Sequence, residues 1–128
     1  MPIDYRIHDR LLDTRASGVL DDETLVGYVR TVMADAAYAD ADADLFDARD
    51  VTDVRLTAEG MRSIATVIQQ SGLSSKRVAV VATLPAMFGM ARMFEMLRDD
   101  IEVRVFRDRD AALEWIGASA SAGAPEPR

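Results

Sequence analysis

Between Asp44 and Ile116, β-branched apolar runs alternate with amphipathic stretches of helical spacing, an alternation few folds accommodate. A strand that rejoins a sheet after a helix does so in parallel through a right-handed crossover. Successive strand-helix units therefore stack side by side and the helices cover the sheet. The chain of 128 residues is long enough for one core and too short for two. The same stretch has no nucleophile elbow, no phosphate loop and no metal-ligand spacing, so no reaction or cofactor is written in its motifs.

Ile3, Tyr5 and Ile7 alternate with Asp4, Arg6 and His8, which reads as a half-buried strand. A second run, Leu11 to Ser17, follows Asp9-Arg10 and completes an antiparallel hairpin before Gly18 breaks it. Asp21-Asp22-Glu23 place a cap and acids at the positive end of a first helix over about 22–36, with Leu25, Tyr28, Val29, Val32 and Met33 on one face. A polar connection, Asp40 to Asp44, leads to a short strand at 45–48 and an irregular segment holding Val51 and Val54. Thr57 caps a second helix that buries Met61, Ile64, Ala65 and Ile68 and stops at Ser71-Gly72. The continuous apolar run over 77–82 is the expected sheet centre. Pro85 opens a third helix to about Arg98, Val103 to Phe106 form the last strand, and Asp108 caps a final helix through Ile116. The expectation is one α/β domain over 1–117, ordered ββαβαβαβα, with a mixed, mostly parallel five-stranded sheet and helices on both faces. A disordered tail is expected over 118–128.

Composition narrows the partners. With 22 acidic and 15 basic side chains the formal charge is −7, a field that repels phosphate backbones, so nucleic acid is not expected. The absence of cysteine excludes disulfides and thiolate chemistry. Met1-Pro2-Ile3-Asp4-Tyr5 has neither a basic n-region nor an apolar h-region, and no run approaches the roughly 20 apolar residues that span a bilayer. A cytoplasmic protein without a membrane span is the expectation.

Phe46-Asp47-Ala48-Arg49-Asp50-Val51-Thr52-Asp53-Val54-Arg55-Leu56-Thr57-Ala58-Glu59-Gly60-Met61, a strand, a turn and a helix start, resembles the core of STAS domains, the anti-sigma-factor-antagonist-like family. Asp47-x-Arg49-x-Val51, Phe88-Gly89-Met90-Ala91-Arg92-Met93-Phe94-Glu95 and Val105-Phe106-Arg107-Asp108 resemble its uncharacterised SpoIIAA-like branch, which is also similar to CRAL-TRIO lipid-binding domains in element order. The resemblance covers 1–117 and implies a non-enzymatic regulatory or interaction module. In phosphoregulated STAS antagonists the segment before the second helix reads roughly Asp-Ser-Ser-Gly, and the second serine takes the phosphate. Here the stretch is Arg55-Leu56-Thr57-Ala58, where only Thr57, after a one-residue shift, could serve as phosphoacceptor; as a preferred N-cap type it could equally be no more than a cap.

Asp40-x-Asp42-x-Asp44 invites a calcium reading but fails the loop spacing, because Leu45 and Val51 stand where glycine and glutamate are needed. A solvated loop is expected, and no metal. His8, the single histidine, falls at the hairpin tip and reads as a surface residue; Ser63, Ser71, Ser74 and Ser75 have no partner base; Asp47 reads as the ion-pair partner of Arg49 rather than half of a carboxylate pair with Asp50. No catalytic residues and no cofactor are expected.

In the third helix Ala86, Met87, Met90, Met93, Phe94 and Leu97 share an arc that suits packing on the sheet, while Arg92, Glu95, Arg98 and Asp99 should be wet. Phe88 falls among the wet residues, where a regular helix keeps it off the sheet; it should then meet another subunit or cover a pocket mouth. Open parallel sheets bind ligands beyond their strand carboxyl ends, here Arg49-Asp50, Thr83-Leu84 and Arg107-Asp108. Arg49, Thr57, Thr83, Phe88, Arg92, Met96 and Arg107 are thus the candidate ligand or partner surface, and a homodimer through the third helix is expected. The alternative is a carrier or sensor of a small apolar or anionic ligand. A carrier requires a sizeable cavity under the third helix, whereas an interaction module requires a filled core and an exposed apolar patch near Phe88 and Met96.

Overall fold

A computed structural model of the protein describes residues 3–71, 77–98 and 101–121. Its elements run β1 (Ile3–His8), β2 (Leu11–Asp21), α1 (Asp22–Met33), a 3-10 helix (Ala36–Asp40), β3 (Ala43–Arg55), α2 (Ala58–Ser71), β4 (Arg77–Val81), α3 (Pro85–Leu97), β5 (Glu102–Phe106) and α4 (Arg109–Ser121). The five strands lie in the order β1-β2-β3-β4-β5. β1 pairs antiparallel with β2, and every later neighbour pairs in parallel. The expected α/β class, element order and mixed sheet are what the chain adopts.

Asp9 and Arg10, at φ 50° and 63°, form the two-residue hairpin loop. Paired positive φ values match the twist of the flanking strands, although both residues carry a Cβ.

Alternation assigns the two sheet faces. On one, α1, α2 and α3 bury Leu25, Val29, Met61, Ile64, Met87 and Ala91 against Ala16, Ala48, Val80 and Val103. On the other, α4 sets Ala112 and Ile116 on Leu11, Ala43, Leu45, Ala79 and Val81. Leu45 is fully covered, and burial of such a side chain is worth about 2 kcal/mol.

Several expected boundaries shift for physical reasons. Gly18 does not end the second strand: at φ +69° it sits between two register shifts against β3, a bulge that lets β2 run on to Asp21. The short strand at 45–48 is instead the 13-residue β3, which absorbs the supposedly irregular segment with Val51 and Val54. β4 pairs only with Ala43 to Asp47, and beyond that point β3 continues against β2 as a two-stranded ribbon through Arg55. Aspartates, poor strand formers, are tolerated there because Asp50 and Asp53 face solvent while Val51 is buried. The sheet centre is therefore β3, not the 77–82 run.

α1 stops at Met33, short of 36, because the Asp35 side chain accepts from the Ala37 N–H at 3.0 Å and starts a 3-10 helix that buries Tyr38. α4 continues through Ser121, into the stretch expected to be a tail, and 122–128 lie outside the described residues, as does Gly72. Arg98, expected wet, is 6% exposed. No helix among the described residues is long and apolar enough to cross a membrane.

Candidate functional site

Where β4 and β5 end, the α4 face of the sheet carries a chain of buried charges. Asp13 of β2 and Asp47 of β3 continue the rows Leu11 and Ala43-Leu45 on the face that meets α4, and their side chains are only 10% and 4% exposed. Arg49 donates to both Asp47 oxygens through Nε at 2.9 Å and Nη2 at 2.8 Å, and its backbone N–H adds a third bond at 3.2 Å. Arg109, in the first turn of α4, donates from Nη2 to Asp13 Oδ2 at 2.7 Å and reaches Asp47 Oδ2 with Nη1 at 3.5 Å. His8 Nε2 lies 3.4 Å from the same Asp13 oxygen.

Burial by itself would push both carboxyls up, but the arginine hydrogen bonds and charges outweigh it and hold Asp13 and Asp47 below the usual carboxylate range. Both stay ionised, which suits a structural clamp and makes them poor proton donors. His8 is thus more than a surface turn residue: it ends β1, half-buried, beside Asp9 and Asp13.

The expected surface residues fall into separate places. The Arg49 guanidinium is taken by Asp47, so it does not stand open to an anion. Arg107 lies over the Phe88 ring at 4.9 Å, and Phe88 itself packs half-buried against the main core rather than being held off it. β5 ends beside the start of α3, and that is how the core reaches a ring that helical spacing alone set on the wet side. Phe88, Arg92 and Met96 follow one another at i, i+4 and i+8 along α3, so they form a stripe of about 12 Å. Arg92 is exposed, and at the far end Met96 is 82% and Leu97 37% exposed. Thr83 is exposed between β4 and α3.

Thr57 works as a cap, accepting from the Gly60 N–H at 3.0 Å. It also ties α2 to α1, since its N–H donates to Asp22 Oδ1 at 2.9 Å and its hydroxyl donates to Asp22 Oδ2. A phosphate at Thr57 would face that carboxylate. Gly60 makes the contact possible, because a Cβ there would run into the Asp22 carboxylate.

The run Asp40-Asp42-Asp44 is not simply a solvated loop. Asp42 takes the Arg10 fork at 2.6 and 3.0 Å, and Asp44, already in β3, accepts from the Tyr38 hydroxyl at 3.1 Å. Among the described residues no group of three or more His, Cys, Asp or Glu is disposed to hold a metal ion.

An apolar cavity of about 120 Å³ lies between the sheet and α1 to α3, bordered by Leu12, Ile64, Val78, Met90, Ala91 and Phe94. Its polar end holds Asp44, Tyr38 and Tyr28, the last hydrogen-bonded to Thr14 at 2.6 Å and stacked edge-on between Tyr5 and Phe46. Pockets for drug-sized ligands run to roughly 300 Å³ or more, so the space under α3 is small for a lipid carrier. A second, open concavity between β1 and α1 is lined by Asp4, Asp21 and Glu23. Neither space has a basic side chain among its described lining residues, which opposes an anionic ligand. Sequence reasoning missed both the Asp13-Arg109-Asp47 clamp and the tyrosine-aspartate end of the cavity, whose members meet only through the sheet.

No protein-family profile matches the chain, and no curated protein matches it. Among solved structures it is similar to an uncharacterised protein of the DUF3478 family from Shewanella loihica PV-4, which has a SpoIIAA-like fold. The two superpose with a TM-score of 0.60 at 20% identity, covering 88% of this chain and 92% of that one. The fold is SpoIIAA-like. The further likeness to CRAL-TRIO domains finds no support in these comparisons.

Proposed function

We propose that the chain is a non-enzymatic STAS-like regulatory or protein-interaction module, acting in the cytoplasm as a homodimer through the exposed stripe of α3. The observation that carries this reading is Met96, 82% exposed beside Leu97 on the last turn of α3. Burying a methionine is worth about 2 kcal/mol, and a two-fold contact counts each such residue twice. The clamped, ionised Asp13 and Asp47 support the non-enzymatic part, since they offer no proton at neutral pH.

Sedimentation velocity over a concentration series tests it. A dimer that Met96→Glu converts to monomer supports the proposal; a monomer at every concentration, with no partner retained on Met96-dependent pull-down, removes it. A second reading, a carrier of a small apolar ligand, is favoured by the cavity beneath α3.

A further inference from the structure

We infer that β1 pairs edge to edge with β1 of a second copy of the chain, antiparallel and centred on Tyr5, in a contact separate from the α3 stripe. β1 ends the sheet, so among the described residues no strand lies along its outer edge. Edge strands are commonly guarded by proline, lysine or a bulge. Ile3–His8 has none of these, and it pairs with β2 over its whole length without a register shift. Asp4 and Arg6 are exposed on the face opposite α1, where α4 packs over β3 to β5 rather than over β1. Neither side chain has a hydrogen bond or ion pair within the chain.

The hairpin fixes which backbone groups this edge offers. Its two-residue loop, Asp9-Arg10, closes on a hydrogen-bonded pair, His8 and Leu11, and the antiparallel pattern alternates from there. Arg6 and Asp4 therefore direct their N–H and C=O groups to β2, whereas Ile7, Tyr5 and Ile3 turn theirs outward. A two-fold partner strand can use those outward groups only when odd-numbered residues stand opposite one another. Centred on Asp4, such a register opposes Asp4 to the partner's Asp4; centred on Arg6, it opposes Arg6 to the partner's Arg6. Centred on Tyr5, it sets Asp4 opposite the partner's Arg6, and symmetry repeats the pair. These are non-hydrogen-bonded positions, where facing side chains come closest and opposite charges favour pairing. On the other face Ile3 meets the partner's Ile7. Charge and backbone pattern thus select the same register, and the strand is its own complement.

A single strand edge buries far less than the roughly 1,200 Å² of a stable complex, so the contact is weak and becomes populated near about 1 mM, above the range in which the α3 contact is read. The test uses the full chain carrying Met96→Glu, which removes the α3 contact, with translational diffusion and amide exchange followed by NMR from about 50 µM to about 2 mM. Diffusion should slow with concentration, and exchange of the Tyr5 and Ile7 amides should slow about threefold or more while the Arg6 amide, already bonded to β2, keeps its rate. Asp4→Arg or Arg6→Asp alone opposes like charges and should weaken association about tenfold or more; the two together restore it. Both sites are exposed, and unchanged amide spectra outside β1 verify the fold. A Met96→Glu chain that stays monomeric throughout, single reversals without effect, or a double reversal that does not recover overturns the edge contact and leaves the α3 reading standing. A wild-type dimer lost on Asp4→Arg but not on Met96→Glu supports the edge contact and removes the α3 reading instead.

Discussion

Replacing Arg109 with methionine isolates the clamp beneath α4, because the aliphatic stem is kept and only the guanidinium is lost. Removing one partner of a buried ion pair costs about 3 to 5 kcal/mol when the other charge is left uncompensated. The burden is uneven here. Asp47 retains the Arg49 fork and backbone N–H, whereas Asp13 keeps only His8 at 3.4 Å. Arg109 is 21% exposed, so some water enters, and we expect Arg109→Met to lose about 2 to 3 kcal/mol at pH 7. The pH dependence follows from the direction of the shifts. In the wild type both carboxyls sit below their ordinary 3.8, so their contribution is present above that value and is lost only as pH falls through their folded pKa values. In the variant Asp13 is left chiefly with burial, which raises its pKa above the unfolded value. Its penalty is then full at neutral pH and is relieved as it takes up a proton on acidification. Urea midpoints for both proteins between pH 7 and about pH 4, converted with a common slope, should show the deficit shrinking toward acid. A deficit below about 1 kcal/mol at pH 7, or one that does not change with pH, refutes the clamp.

Four further outcomes are expected. Gly60→Ala would drive its Cβ into the Asp22 carboxylate and break the bonds to Thr57; about 1 kcal/mol of helix propensity offsets most of that loss, so the urea midpoint falls only slightly while the Thr57 amide resonance moves markedly. Thr57→Ala removes the cap and the tie to α1 together and should cost about 1 to 2 kcal/mol in the same denaturation assay. Asp9→Gly, at φ 50°, should stabilise the hairpin by about 0.5 to 1 kcal/mol, read as a higher thermal midpoint. Ala91→Leu, filling space that its neighbours leave open, should gain about 1 to 2 kcal/mol; a loss would mean that the void is too narrow for three added carbons.

The charged ribbon shows where local reading stops. Arg49, Asp50, Asp53 and Arg55, which follow the short strand at 45–48, read as an irregular segment, because a strand rich in aspartate is unfavourable unless a neighbour supplies its ladder. β2 is that neighbour over the whole length of β3, and nothing within residues 43–55 announces it. Phe88 was misplaced for a similar reason: helical spacing gives its direction on α3, but β5 and Arg107 determine what it meets. Thr57 as a cap is legible locally, from a preferred cap residue type directly before a helical run.

Element type, order and the α/β class were settled by local periodicity, since a strand repeats every two residues and a helix every 3.6, and each repeat is complete within one segment. The charge clamp and the cavity were decided only by tertiary structure. Arg109 and Asp13 stand 96 residues apart in the chain, and Asp44 reaches the cavity only between Leu12 and Val78. Burial turns an ordinary aspartate into one that requires a partner, and burial is a property of the assembled sheet and its helices rather than of any segment that enters them.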